Sequence, residues 1–224
     1  MKYTFQYGQV LGYLPYLLAG AWITLQIAFL AFLGGMLIGL FGAFAKTSGG
    51  RVSRTVAEVY VTLFTNTPQL VQIFFIFFAL PEFGIRLSSY EAVLLGMTLN
   101  AGAYLTEIQR AGFASVRRSE IEAAETLGMS RAQIVRYVIV PHIMKVLFPP
   151  LSSHYIVLTL GTSMGALFGL EELTGRAFNI ESRTFRSLEI FSIVAGVYLV
   201  LNVVASAILI VIGRVGFRVR VRIV

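Results

Sequence analysis

EAAETLGMSRAQIVRYVIVP, Glu122 to Pro141, is the longest stretch of this chain that cannot sit in hydrocarbon, and apolar segments flank it on both sides. Ser119 followed three residues later by Glu122 predicts a capping box that opens a short helix. Gly128 follows Glu125-Thr126-Leu127, where a helix would need a left-handed residue to end. Ser130 with Gln133 predicts a second cap. The expectation is two short helices with a Gly-Met joint, the second stopping before Pro141. Arg117, Arg118, Arg131 and Arg136 place the stretch on the cytoplasmic side.

The remainder of the composition agrees with a membrane setting. Of 224 residues, 57% are hydrophobic and only 13% charged, against about 25% charged in ordinary soluble domains. The formal charge of +7 is then read as topology before nucleic-acid binding. A DNA-reading helix-turn-helix is the alternative for the quoted stretch, but such a reader stands clear of the membrane on a linker and none is present. There is no Cys and no Asp, and the two His have no ligand partners in sequence, so disulfide, zinc and hydrolytic chemistry are not expected. No Gly-rich GKS or GKT phosphate loop occurs, so no ATP site is expected in this chain. A removable signal peptide is not expected either, because Lys2 is a weak positive region and Gln6, Tyr7 and Gln9 dilute the apolar character of the first residues.

Working outward, the fold class is all-α, an integral membrane protein of five spans. Residues 1–16 are expected to lie at the interface, and one membrane domain covers 17–213 with its cytoplasmic loop at 114–140. The spans are expected near 17–45, 56–80, 91–113, 141–169 and 190–212, followed by a basic tail, 214–224. Gly35 and Gly39, with Gly34 and Gly42 beside them, predict a close-packing face on the first span. Pro68 in the second removes a backbone donor and predicts a kink or opening. Asn100, Tyr104 and Glu107 share one face of the third. Asn100 is a candidate solute contact, and Glu107 a candidate partner of Arg110. Pro149-Pro150 should interrupt the fourth, where Gly161, Gly165 and Gly169 repeat every four residues beside Thr162 and Ser163. Residues 171–189 read as an external loop. The tail arginines Arg214, Arg218, Arg220 and Arg222 suit anionic lipid. Thirteen of the eighteen Lys and Arg fall on one side, which predicts the N-terminus outside and the C-terminus inside.

Several stretches resemble one family. Glu122-Ala123-Ala124, three residues, Gly128, nine residues and Val138-Ile139-Val140-Pro141 is similar to the EAA-x3-G-x9-I-x-L-P loop of ABC importer permeases. Thr67-Pro68-Gln69-Leu70-Val71-Gln72 resembles the G-T-P-x-x-V-Q stretch of the polar amino-acid branch. Asn100 to Ile108 resembles its N-S-G-A-Y-x-A-E-I signature, and Gly169 to Thr174 and Ser182 to Arg186 resemble its G-x-x-E-L-T and S-R-T-F-R stretches. Where the family commonly has an acidic or amide residue before its hydroxyls, this chain has Gly161 before Thr162-Ser163.

The resemblance implies a permease subunit of an ATP-driven importer, type I in architecture, for polar amino acids or derivatives such as opines, in a bacterial inner membrane. It implies coupling to the ATPase through Glu122, Ala123, Ala124, Gly128, Ser130, Arg131 and Pro141. It implies a solute path past Thr67, Pro68, Gln72, Asn100, Tyr104, Glu107, Thr162 and Ser163. The implied partners are an ABC ATPase dimer carrying ATP and Mg, a second permease subunit that is identical or paralogous, a periplasmic solute-binding protein and membrane lipid, with no nucleic acid. No cofactor or metal is implied in this chain, and catalysis would belong to the ATPase. An ion-coupled secondary transporter or channel is the alternative; it would need no loop of this spacing.

Overall fold

The computed structural model describes residues 4–217, and all regular structure among them is helical. A short α1 (Gly8–Leu11) precedes α2 (Leu14–Ser48). The broken pair α3 (Arg51–Thr65) and α4 (Gln69–Phe74) comes next, and α4 runs on as a π turn (Phe75–Ala79) and a 3-10 turn (Leu80–Phe83). Helix α5 (Ser89–Ala114) opens on a capping box between Ser88 and Glu91. Beyond it lie α6 (Arg118–Thr126) and α7 (Arg131–Ile134), the latter joined by a π turn (Val135–Ile139) to α8 (Val140–Gly161). A 3-10 segment (Thr162–Phe168) leads to α9 (Leu173–Thr184) and α10 (Ser187–Phe217).

Glycines set the packing around α5. A Cβ on Gly34 would stand 2.7 Å from the Thr98 side chain, one on Gly35 2.7 Å from Ala101, and one on Gly39 2.8 Å from the Leu105 backbone. The register rises together on both helices, so α2 and α5 run parallel. The expected small-residue face is therefore the seam between these two helices. Gly39→Val would force the seam apart against backbone that cannot swing away. We expect a loss of about 1–3 kcal/mol, read as a lower unfolding midpoint in detergent. Gly196→Ala, with open space around its Cβ, should leave the midpoint in place.

Parallel α2 and α5 require the intervening chain to return from one end of the bundle to the other, so the broken pair α3–α4 makes that crossing. Helix α8 runs the other way. Gly112 near the end of α5 abuts Leu147 near the start of α8, whereas Gly165 beyond the end of α8 faces Val93 near the start of α5. Phe217 at the end of α10 meets Phe148 with ring centroids 5.1 Å apart, so α10 ends where α8 begins. Ser48, Ala114, the α6–α7 elbow and Phe217 thus share one end of the bundle.

By length and apolarity, Leu14–Ser48, Arg131–Phe168 and Ser187–Phe217 can each cross a bilayer, and Arg51–Thr65 with Gln69–Phe83 counts as a fourth if taken as one bent span. Helix α5 has 26 residues, about 39 Å at ~1.5 Å per residue. Its buried Asn100, Thr106 and Gln109 make it less apolar than the others, and it can carry them because its neighbours, not lipid, surround it.

Four expectations need correction. Ser119 does not cap α6: Arg117 holds the N-cap position without a side-chain bond, and Glu122 instead takes Arg118 one turn back at 3.0 Å. The second elbow helix does not stop before Pro141. The π turn at 135–139 precedes it, Pro141 falls in the first turn of α8 where no intrahelical donor is needed, and the helix runs on. Pro149-Pro150 lie inside α8 without interrupting it. Residues 171–189 are no simple loop, because α9 buries Leu173, Ala177 and Ile180 against Leu17, Ile190 and Val194. The N-terminal segment is tied to the same cluster by buried Val10 and by the Gln6 amide donating to Glu189 at 3.0 Å. Arg214 lies in the last turn of α10, while Arg218, Arg220 and Arg222 fall outside the described residues.

Candidate functional site

The elbow between α5 and α8 is built by its backbone. At the end of α6 the Met129 N–H donates to the Ala124 carbonyl at 3.2 Å and the Gly128 N–H to the Glu125 carbonyl at 2.9 Å. This paired closure needs a left-handed residue at its centre, and Gly128 supplies it with φ +76°. Ser130 then opens α7: its hydroxyl accepts from the Gln133 N–H at 3.4 Å, and the Gln133 side chain accepts from the Ser130 N–H at 2.8 Å. Ala124 is buried, whereas Glu122, Ala123, Ser130, Arg131 and Pro141 are exposed and Leu127 is 81% exposed. Glu120 reaches His142 at 3.6 Å and ties α6 to the start of α8. The outer face of the elbow therefore presents an apolar knob among small and charged residues, with none of it spent on this chain's own core.

Two turns before the end of α5, Glu107 pairs with Lys46 of α2 and with Arg110 at 2.8 Å. The expected Arg110 contact is present, and Lys46 extends it across the α2–α5 seam.

The second site is the break in the second crossing. Helices α3 and α4 meet at 104°. Pro68 is extended, with ψ 134°, so the carbonyls of the last turn of α3 lose their helical partners. Side chains replace them. The Gln72 amide donates to the Phe64 carbonyl at 2.9 Å, to the Thr67 carbonyl at 3.1 Å and to the Thr67 hydroxyl at 2.7 Å. Asn100 of α5 donates to the Phe64 carbonyl at 3.2 Å and to the Gln72 side-chain oxygen at 2.9 Å. Tyr104 reaches the Thr65 carbonyl at 3.4 Å. So the structure brings Thr67, Pro68, Gln72, Asn100 and Tyr104 together at one opening, while Glu107 stands apart in its ion pairs. Thr162 is buried and donates to the Thr159 carbonyl at 2.8 Å; Ser163 donates to the Leu160 carbonyl at 2.8 Å. Both hydroxyls close the end of α8.

Sequence reasoning passed over Glu172. It is fully buried and caps α9, accepting from the Gly175 N–H at 2.8 Å, the Thr24 hydroxyl at 3.1 Å and the Tyr198 hydroxyl at 2.9 Å. It locks α9 to α2 and α10. Leu173, Ala177 and Ile180 at helical spacing behind an acidic cap were the available signal. Burial pushes the Glu172 carboxyl above the ordinary carboxylate range, against the opposing effect of the hydrogen bonds it accepts. Because the folded value is raised, this group's contribution is complete below its unfolded pKa and fades as pH rises through the folded one. Unfolding midpoints measured across that window should fall with pH for the native chain, and Glu172→Gln should remove that part of the slope.

A separate cavity of about 760 Å³ lies between α2, α8 and α10, walled by residues such as Phe29, Phe32, Leu201 and Ile208. It contains none of the residues of either site.

Residues 35–214 match the family described as "Binding-protein-dependent transport system inner membrane component". The chain is 39% identical over 198 residues to the glutamine transport system permease protein GlnP of Escherichia coli (strain K12), covering 88% of this chain and 90% of that one. It is 35% identical over 181 residues to the L-cystine transport system permease protein TcyB of Bacillus subtilis (strain 168), covering 81% and 77%. Among solved structures, a crystal structure of an amino acid ABC transporter with histidines is similar with a TM-score of 0.87 at 34% identity, over 95% of this chain and 99% of that one. An inward-facing methionine ABC transporter, MetNI, shares the fold with a TM-score of 0.64 at 19% identity, over 86% and 94%. The ion-coupled alternative has no counterpart among these relatives.

Proposed function

Because the chain belongs to the family of inner-membrane components of binding-protein-dependent transport systems, we propose that it is a permease subunit of an ATP-driven importer of amino acids or their derivatives. The observation that carries this reading is the elbow. Its glycine joint and its exposed outer face, with Leu127 at the tip, form a rigid, unclaimed plug suited to a groove on a cytoplasmic ATPase. Glu122, Ala123, Ala124, Gly128, Ser130, Arg131 and Pro141 are its coupling residues. The relatives that support the solute class are permeases of glutamine and cystine systems by name.

In this reading the elbow end faces the cytoplasm, the bundle makes five crossings, and α1 lies outside. The basic residues Lys46, Arg51, Arg54, Arg110, Arg117, Arg118, Arg131, Arg136 and Arg214 gather at the elbow end, as the positive-inside rule requires. ATP and Mg act on a partner ATPase dimer, and this chain performs no covalent chemistry. A second permease subunit, identical or paralogous, completes the path, and a periplasmic binding protein delivers the solute at the opposite end. The solute passes the break at Thr67, Pro68, Gln72, Asn100 and Tyr104, then Thr162 and Ser163, with Glu107 nearer the cytoplasm. Closure of the ATPase dimer would move both elbows inward and reorient the crossings.

The test is purification from native membrane followed by reconstitution. An ATPase chain should travel with this one, and uptake of a labelled amino acid should require ATP on the elbow side and the binding protein on the opposite side. Ion-driven uptake by the purified chain alone would overturn the reading.

A further inference from the structure

We infer that the cavity between α2, α8 and α10 holds the acyl chain of a membrane lipid, and that Lys145 at its elbow end selects a lipid with an anionic headgroup. The inference concerns a face of the chain apart from the solute path and goes beyond the importer reading.

The cavity follows from how α10 is held. At one end Ile190 and Val194 pack with Leu173 and Ala177 of α9. At the other, Phe217 rests on Phe148 of α8. Between Val194 and Phe217 the helix runs for about 35 Å at ~1.5 Å per residue. Within that length Leu201, Val204, Ala205 and Ile208, one face by their spacing, line the gap that α10 leaves against α2 and α8.

The gap measures about 760 Å³, whereas roughly 150 Å³ suffices for benzene in an aliphatic cavity. It is open at the side, since Phe29, Val204 and Ile208 on its wall are each at least half exposed. In a membrane that opening faces hydrocarbon. Water finds little to bind there: the Ser152 hydroxyl on the wall already donates to the Phe148 carbonyl at 2.8 Å. Apolar walls that open on hydrocarbon take a hydrocarbon chain.

The break lies against another face of α8. His154 stacks near Tyr104, whereas its neighbour Tyr155, turned by about 100°, meets Phe32 of α2 edge-on with ring centroids 5.6 Å apart. A second permease subunit that completes the path at the break leaves the cavity to the lipid.

Charge selects the headgroup. Lys145 stands three residues before Phe148, seven before Ser152 and ten before Tyr155, so it extends the same wall of α8 by one turn toward the elbow. It is exposed and makes no ion pair with any described residue. Glu120, the acid that reaches the start of α8, is engaged with His142. An ammonium at the mouth of an apolar slot suits a lipid phosphate. A headgroup of net negative charge keeps that attraction, which a zwitterionic one opposes with its own cation.

The test uses the complex as it leaves the native membrane in mild detergent. Native mass spectrometry counts retained phospholipid, and phosphatidylglycerol and phosphatidylcholine are then titrated back into the delipidated complex. We expect one phospholipid per copy of this chain, with phosphatidylglycerol bound about fivefold more tightly, the worth of one lysine beside anionic lipid. Lys145→Gln should abolish that preference and keep the site. Ala205→Phe, which projects a ring into the cavity, should expel both lipids. A further readout needs no variant that fills the cavity. Trp22, the single tryptophan of the chain, lines it, and stoichiometric phosphatidylglycerol with brominated acyl chains should quench the fluorescence that Trp22→Phe removes. Absence of retained or rebound lipid, unchanged binding in Ala205→Phe, or no quenching would overturn the site. Equal affinity of the native complex for both headgroups, or loss of the preference only when Arg218, Arg220 and Arg222 are changed to Gln, would overturn the role of Lys145. The chain has no cysteine, so oxidative cross-linking of two copies through Val204→Cys would assign the cavity to a second copy and overturn the lipid.

Discussion

Gly128→Val should cut ATP-driven uptake at least tenfold while ATP hydrolysis by the partner continues. The elbow is closed by two backbone bonds that exist only while residue 128 holds φ +76°. A residue with a Cβ loses about 1–2 kcal/mol in that region, and a β-branched residue loses more. Beyond its two chain neighbours, no atom of the described residues lies within 4 Å of a Cβ placed there, so the effect is conformational, with no clash against the rest of the fold to confuse it. Released from its joint, α6 would no longer hold a fixed angle to α7, and motion at the tip would be absorbed before reaching α8. Graded substitutions sharpen the expectation. Asn, which tolerates the left-handed region, should retain most uptake, Ala less, and Val least. Uptake in reconstituted vesicles is the measurement. A Val variant that imports at the native rate would remove the joint from the mechanism.

Removal of the brace at the break is the second large effect expected. Asn100→Leu leaves the buried Gln72 side-chain oxygen without its donor, and Gln72→Leu leaves the buried Asn100 amide without that acceptor and the Phe64 carbonyl without one of its donors. Each single change should lower stability by about 1–3 kcal/mol, the cost of stranding a buried polar group. Asn100→Leu should also depress uptake. The double variant should lose less than the two singles added together, because each single already forfeits the bond that the two residues share. Unfolding of the purified chain in detergent at increasing denaturant reads all three. Strict additivity would mean that the two side chains act independently, against the geometry.

How far these sites were legible in sequence depends on whether the signal was local. The glycine joint and the Ser130–Gln133 cap were legible because both are backbone events decided within six residues. The same pattern misled at Ser119, where serine and glutamate at the right spacing sit two residues too deep and the helix starts at Arg118, with Arg117 at its cap. Pro68 announced a disturbance, but the 104° turn and its repair by Asn100 depend on a helix that is distant in sequence. The prolines of α8 were overread: Pro141 falls in its first turn, and the helix continues through Pro149 and Pro150. Helix α9 was missed because its polar residues dominate its composition, although its apolar positions keep helical spacing.

The π turn at 135–139 has a consequence for how this chain could change length. It holds one more residue than a regular turn needs. Deletion of a single position there would restore an ordinary ladder without any local penalty. Everything downstream would keep its facing, because the wide turn already absorbs the surplus residue. Gly161 would still lie against Gln69 of α4, with the elbow itself unaltered. Deletion of one residue in the regular part of α8 would instead turn the following face by about 100°, so the π turn is the one place between plug and interior where the chain can shorten without changing the phase of α8.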